Sequence, residues 1–176
     1  MAGHIVSSTS SCNAVSSRKI ILECGRSVEV ANFNVTGDEQ TFTLARVFID
    51  TSSLGSSPQV KIDFTTLIFF EGESGNDDID ILLTFKLNRR CGTADPSVLR
   101  TWQYRKFFDA GSNFGDLIIQ ESFTTLFCDN QECPDGDPRE YYVEVTADPA
   151  GTNFTNIASA IVNPDGSAFI SALAQC

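Results

Sequence analysis

Six cysteines, Cys12, Cys24, Cys91, Cys128, Cys133 and Cys176, are the side chains of this sequence with the most distinctive chemistry. Cysteines bind soft metals, act as nucleophiles or pair as disulfides. A zinc site calls for tight pairs and commonly a histidine, whereas the closest two, Cys128 and Cys133, have four residues between them and no histidine near. Disulfides formed in an oxidising place are the better reading, because an exposed thiol there is reactive. Buried, reduced cysteines packing as small hydrophobes are the plain alternative. Six cysteines allow fifteen pairings, and spacing alone does not choose among them. Position suggests that Cys128 and Cys133 close a small loop within the subunit. It also suggests that Cys12 reaches an acceptor on a neighbouring subunit, with Cys24, Cys176 and Cys91 as candidates.

The means of catalysis are scarce. The single histidine, His4, lies close to the start of the chain, and a serine nucleophile needs a base held beside it. Asp63, Glu71, Glu73 and Glu121 fall in or beside expected strands, where two carboxylates could run glycoside hydrolysis. Among 23 acidic residues, however, some face each other by chance. Two loop clusters, Asp77, Asp78 and Asp80, then Asp129, Glu132, Asp135 and Asp137, offer oxygens but match no calcium-ligand spacing. They read as solvated loops. The expectation is no enzyme, no catalytic residue, no metal and no cofactor.

These residues need elements to hold them. From residue 20 onward, short apolar runs alternate with polar residues at a period of two, the signature of strands with one face inward. Val60, Ile62, Phe64, Thr66, Ile68 and Phe70 form one such run, and Ile79, Ile81, Leu83, Phe85 and Leu87 another. Weaker runs lie at Val28 and Val30, Phe42 and Leu44, Trp102 and Tyr104, Leu117 to Phe127, and Tyr141 to Val145. Clusters of Gly, Pro, Asn and Asp separate them. The residues from Ser159 to Leu173, with Asp165 and Gly166 inside, favour a hairpin. About ten strands without convincing helical periodicity predict an all-β chain: a single jelly-roll-like β-sandwich over residues 20–176. Residues 1–19 are rich in Ser, Thr and Ala and predict a flexible N-terminal connector arm in the isolated subunit.

Composition narrows the partners. Twelve Lys and Arg against 23 Asp and Glu leave a formal charge of −11, which disfavours binding to a nucleic-acid backbone. No apolar run approaches the roughly 18 residues of a membrane-spanning helix, so no membrane insertion is expected. The start of the chain lacks the apolar stretch of a secretory signal. An extracellular location without a classical signal peptide would then require release by another route, such as lysis of the producing cell.

An open sandwich exposes unpaired strand edges that must be covered or used. A polar arm can supply backbone hydrogen bonds to a neighbour by strand addition. The small side chains Ser7, Ser8, Thr9, Ser10 and Ser11 would let it pack closely, and Cys12 would then lie against the neighbour. Head-to-tail contact of this kind propagates into a ring or a fibre.

The runs Ile20 to Gly25 and Thr41 to Ala45 resemble the opening of a cysteine-containing family of unknown function from spore-forming anaerobic bacteria. Leu83 to Cys91, Phe123 to Asp129 and Tyr141 to Val145 are similar to its later strands. In plan the chain also resembles the subunits of endospore appendages, pilus-like fibres built from jelly rolls with a cysteine-bearing connector. That resemblance implies a structural subunit that self-assembles into a helical filament by β-strand complementation and intersubunit disulfides, with copies of itself as partners. It departs from known connectors in having one cysteine, Cys12, where a neighbouring pair is common. The alternatives are a carbohydrate-binding module, using Trp102, Tyr104, Tyr141 and Tyr142, or a viral or phage jelly-roll coat or tail protein.

Overall fold

The computed structural model of the chain describes residues 19–33, 39–55, 57–72, 79–109, 117–133, 138–147 and 157–175. The connector serines, Cys12, Cys176 and the acidic residues Glu73, Asp77, Asp78, Asp135 and Asp137 lie outside them. Eleven strands occur among the described residues: β1 (Ile20–Cys24), β2 (Arg26–Ser27), β3 (Ala31–Phe33), β4 (Gln40–Ile49), β5 (Gln59–Gly72), β6 (Ile79–Cys91), β7 (Ser97–Phe108), β8 (Leu117–Asp129), β9 (Arg139–Ala147), β10 (Ile157–Val162) and β11 (Phe169–Gln175).

The strands form two antiparallel sheets packed face to face. In the first, β5 pairs with β8 along one side and with β10 and β11 along the other, where β3 and β1 complete the edge. The second runs β2-β4-β9-β6-β7. Taking β1 to β3 as one broken strand and β10 with β11 as another leaves eight strand positions in two four-strand sheets. All connections between successive positions cross from one sheet to the other, except the β6–β7 hairpin. This is the jelly-roll arrangement.

Period-two alternation produces the core directly. Val60, Ile62, Phe64, Ile68 and Phe70 of β5 are buried against Ile79, Ile81, Leu83, Phe85 and Leu87 of β6, Val143 and Val145 of β9, and Leu44 and Val47 of β4. Phe33, Phe64, Phe70 and Phe85 are buried here. The Phe85 ring stacks on Phe123 of the opposite sheet at 4.1 Å between centroids, and Phe33 meets Phe42 edge-on at 5.3 Å. Aromatic pairs at these separations add to simple area burial.

Two departures from the local pattern shape the fold. Gly25 stands where the chain leaves the first sheet for the second, and its N–H donates to the Ile170 carbonyl at 2.8 Å. A Cβ there would collide with the Arg46 carbonyl oxygen, Ile170 Cγ2 and, at 2.8 Å, Val47 Cβ. Only glycine permits so close a crossing.

The expected hairpin near the end is the second departure, and the structure corrects it. β10 and β11 both run antiparallel to β5, at Ile68 to Gly72 and at Gln59 to Thr65, so the chain bulges outward and continues in one direction. Asn163 makes this possible. It takes a left-handed φ of 64°, which Asn tolerates. Its side-chain amide donates to Ser27 Oγ at 2.7 Å and the Glu29 carbonyl at 2.6 Å, while its side-chain oxygen accepts from the Ala168 N–H. Val28 and Val30, expected in a strand, are exposed in the link between β2 and β3.

Candidate assembly surface

The outward faces of the two sheets differ in chemistry. On the second sheet, polar side chains are paired off. Glu140 lies between Arg46 Nε at 3.0 Å and Arg90 Nη1 at 3.3 Å, and both guanidinium groups stand over the Tyr142 ring at 6.0 and 5.9 Å. The Asn88 amide donates to Glu144 at 2.8 Å. Asp80 is held by Arg105, whose hydrogen bond keeps its carboxyl below the ordinary range. The same sheet also exposes Phe48 on β4 and Val98 and Phe107 on β7.

The first sheet presents a different surface. Ile20 and Leu22 on β1, Ile118 and Leu126 on β8, and Phe169 on β11 are all exposed there. Cys24 and Cys128 are exposed free thiols on the same two edge strands, β1 and β8. Register fixes their relation. Leu22 pairs with Leu173, Leu173 with Lys61 and Lys61 with Cys128, while Cys24 pairs with Ser171, Ser171 with Asp63 and Asp63 with Leu126. The two thiols therefore share one face, at opposite margins of a four-strand sheet, one row apart. At about 4.8 Å per strand and about 3.4 Å per residue they are separated by about 16 Å, far beyond disulfide reach.

A third cluster closes one end of the sandwich and accounts for the disulfide. Asp129, the last residue of β8, points inward and is 1% exposed. Arg89 of β6 donates from Nη1 to both its oxygens, at 3.2 and 2.9 Å, and the Tyr141 hydroxyl donates to Oδ2 at 2.8 Å. Arg139 approaches the same oxygen at 3.9 Å. Burial, followed by the Asp129 charge, pushes the Tyr141 hydroxyl well above its ordinary pKa. The Gln131 N–H donates to Asp129 Oδ1 at 3.0 Å, and Arg89 Nη2 donates to Gln131 Oε1 at 2.9 Å. These bonds bend the chain after β8 over the end of β6.

That bend overturns one expected pairing. Cys133 is bonded to Cys91, with Cα atoms 5.5 Å apart, and Cys128 is left free. Cys128 faces outward in the alternation of β8, whereas Asp129 draws the following turn inward to Cys91 at the end of β6. Cys91 is thus occupied within the chain and is withdrawn as an acceptor for a neighbour. Asp129, expected in a solvated loop, is a buried ion-pair partner, and Glu132 accepts from Ser57 Oγ at 2.6 Å.

Other candidates are scattered. Asp63 lies on the outward face and pairs with Lys61 at 3.0 Å, while Glu121 faces inward and is bonded to Tyr104 at 3.1 Å and Lys106 at 2.7 Å. No carboxylate pair for hydrolysis joins these two. Tyr141 and Tyr142 are buried, and Trp102 and Tyr104 point half-buried toward the core, so the four rings form no exposed platform. Among the described residues no group of His, Cys, Asp and Glu is arranged to hold a metal ion. Likewise, no helix there is long and apolar enough to cross a membrane. Alternation at β8 could have revealed that Cys128 and Asp129 face opposite ways; nothing local pointed to Arg89 as the partner of Asp129.

A family model described as a domain of unknown function, DUF4489, matches residues 18–167. No curated protein matches the chain. Among solved structures, one of infectious bursal disease virus, Gx strain, aligns with a TM-score of 0.42 and 12% identity, over 100% of this chain and 36% of that one. A structure of the Gt strain aligns with a TM-score of 0.24 and 10% identity, over 99% of this chain and 46% of that one. The chain spans less than half the length of these viral chains.

Proposed function

The chain belongs to the DUF4489 family, and from that premise we propose that it is a structural subunit. It self-assembles into an extracellular or spore-surface filament, through strand complementation at its sheet edges and disulfides between copies. The observation that carries this reading is the pair of exposed free thiols, Cys24 and Cys128, on edge strands that also expose Ile20, Leu22, Ile118 and Leu126. Long exposed apolar edges invite pairing with another chain, and thiols facing outward in an oxidising place invite covalent linkage. Cys12 supplies a further thiol, carried on a serine-rich arm suited to lie along a neighbour. The role proposed is structural rather than enzymatic, and Asp63, Asp80, Glu121, Asp129 and Glu140 are engaged in ion pairs.

Negative-stain microscopy and electrophoresis without reductant test this directly. Filaments and a ladder of bands that collapses on reduction are expected. Deleting residues 1–15 is expected to stop elongation, and Cys12→Ser to shift the ladder. A single monomer band under both conditions, with no elongated particles, overturns the reading.

A further inference from the structure

We propose that the β8 edges of two copies pair with each other, antiparallel about a two-fold axis at Ser122, and join their first sheets into one continuous sheet. The inference rests on the self-assembly reading and names a partner surface within it; the partner is a second copy of this chain.

The edge itself comes first. β8 pairs with β5 on one side and with no other strand among the described residues, so along its 13 residues the backbone groups turned away from β5 have no ladder. Proteins commonly guard such an edge by keeping it short or by placing charges, prolines or bulges on it. The other margins are guarded in these ways. β1 has 5 residues and includes the exposed Glu23, and β3 has 3. β2 and the link after it cover β4 from Thr43 to Arg46, and β7 carries Arg100, Arg105 and Lys106. β8 holds no proline, glycine or basic residue and follows β5 from Leu117 to Asp129 without a bulge. Its two acids are already engaged, Glu121 by Tyr104 and Lys106, Asp129 by Arg89 and Tyr141. The chain has a formal charge of −11, so copies repel, and an edge without uncompensated charge is where two of them meet at least electrostatic cost.

Self-complementarity selects the partner. The outward side chains of β8 run Ile118, Gln120, Ser122, Thr124 and Leu126: apolar, polar, small, polar, apolar. That order is the same from either end. A two-fold axis through Ser122, perpendicular to the sheet, therefore sets Ile118 of each copy opposite Leu126 of the other, Gln120 opposite Thr124, and Ser122 opposite itself. Matched cross-strand pairs are the unit of sheet stabilisation. Ile118 and Leu126, 63% and 54% exposed in the single chain, each gain an apolar neighbour.

Register is fixed by the same pattern. Residues 117–127 of the two copies overlap, all of them inside β8. On the inward side Leu117 meets Phe127, Ile119 meets Thr125 and Glu121 meets Phe123. A slide of two residues in one sense sets Glu121 against its own copy, and like charges directly opposed are unfavourable. A slide in the other sense sets Gln120 against Leu126. The contact uses one patch twice and so closes at two copies. It leaves β1 and its Cys24 at both outer margins of the joined sheet, for the contacts that carry a filament onward. Cys128 and its copy stand about 40 Å apart along the strands, at about 3.4 Å per residue, so the pairing needs no disulfide.

The test introduces Ser122→Cys, at an exposed position, into the full-length chain and treats it with a short bismaleimide, which bridges opposed thiols. Digestion without reduction and mass spectrometry follow. A peptide in which position 122 is linked to position 122 is expected, a link that only two copies can make. Thr124→Cys, whose counterpart is Gln120, is expected not to link to itself. Adding Leu126→Lys to Ser122→Cys is expected to abolish the link, while an intact Cys91–Cys133 peptide reports a retained fold. If multimers or filaments form but position 122 is never linked to itself, or Thr124→Cys links to itself as readily, this pairing is wrong and self-assembly stands. Linked dimers without filaments uphold the pairing and overturn the filament. If no multimers or filaments form at all, both readings fall.

Discussion

Arg89 and Asp129 join the two sheets of the sandwich: one guanidinium nitrogen on β6 donates to both carboxylate oxygens at the end of β8, at 3.2 and 2.9 Å. Both residues are buried. The charges are mutually dependent, because neither is compensated by water if its partner is removed.

Asp129→Ala is accordingly expected to destabilise the fold by about 3–5 kcal/mol, the usual effect of stranding one half of a buried ion pair. It leaves Arg89 and the nearby Arg139 facing each other without their carboxylate. Urea unfolding checks this, as does the double variant Arg89→Met with Asp129→Leu, whose loss should fall short of the sum of the singles. A purely additive result would show that the pair is not coupled.

The Cys91–Cys133 bond closes a loop with a sequence separation of 42. Chain-entropy reasoning assigns such a loop about 4 kcal/mol of stabilisation. Replacing both cysteines by serine should lower the guanidinium midpoint accordingly, with the largest gain in hydrogen exchange at residues 129–133. Peptide mapping of the unmodified protein should recover Cys91 joined to Cys133 and none of it joined to Cys128.

Alkaline stability should depend on Tyr141. Its pKa is raised on folding, first by burial and next by the Asp129 charge, so the folded state keeps its proton where the unfolded chain loses it. The resulting stability is complete below the unfolded pKa of about 10 and is lost as pH rises beyond it. Tyr104 adds to the same trend, raised by burial and then by Glu121. Stability measured from pH 8 to 11.5 should fall at the upper end. Tyr141→Phe should flatten that fall while costing about 1–3 kcal/mol at neutral pH, because an acceptor on Asp129 is left without its donor.

Gly25→Ala tests the crossing between sheets. The added methyl group meets the Arg46 carbonyl and two core side chains, and crowding in a packed interior commonly costs about 1–3 kcal/mol. A thermal midpoint equal to that of the unaltered chain would show that the corner relaxes freely.

Much of this architecture was legible in order of residues alone. Val60 to Phe70 and Ile79 to Leu87 alternate so regularly that β5 and β6 follow from pleat geometry, which acts between neighbours two residues apart. The two thiols' exposure is legible in part by the same logic, since Cys128 falls on the polar phase of β8. The hairpin expected around Asp165 failed because turn residues signal that the chain bends, not how far. Asn163 borrowed Ser27 and Glu29, distant in sequence, to turn the bend into a bulge.

Local alternation thus determined that this is an all-β chain and which residues line its core. Only tertiary structure decided that Cys133 bonds Cys91, that Asp129 is buried against Arg89, and that Cys24 and Cys128 stand at opposite margins of one face. The reason is physical. A strand's facing depends on a period of two residues, whereas partners across or along a sheet depend on which distant strands become neighbours, and six cysteines at these spacings are compatible with many such arrangements.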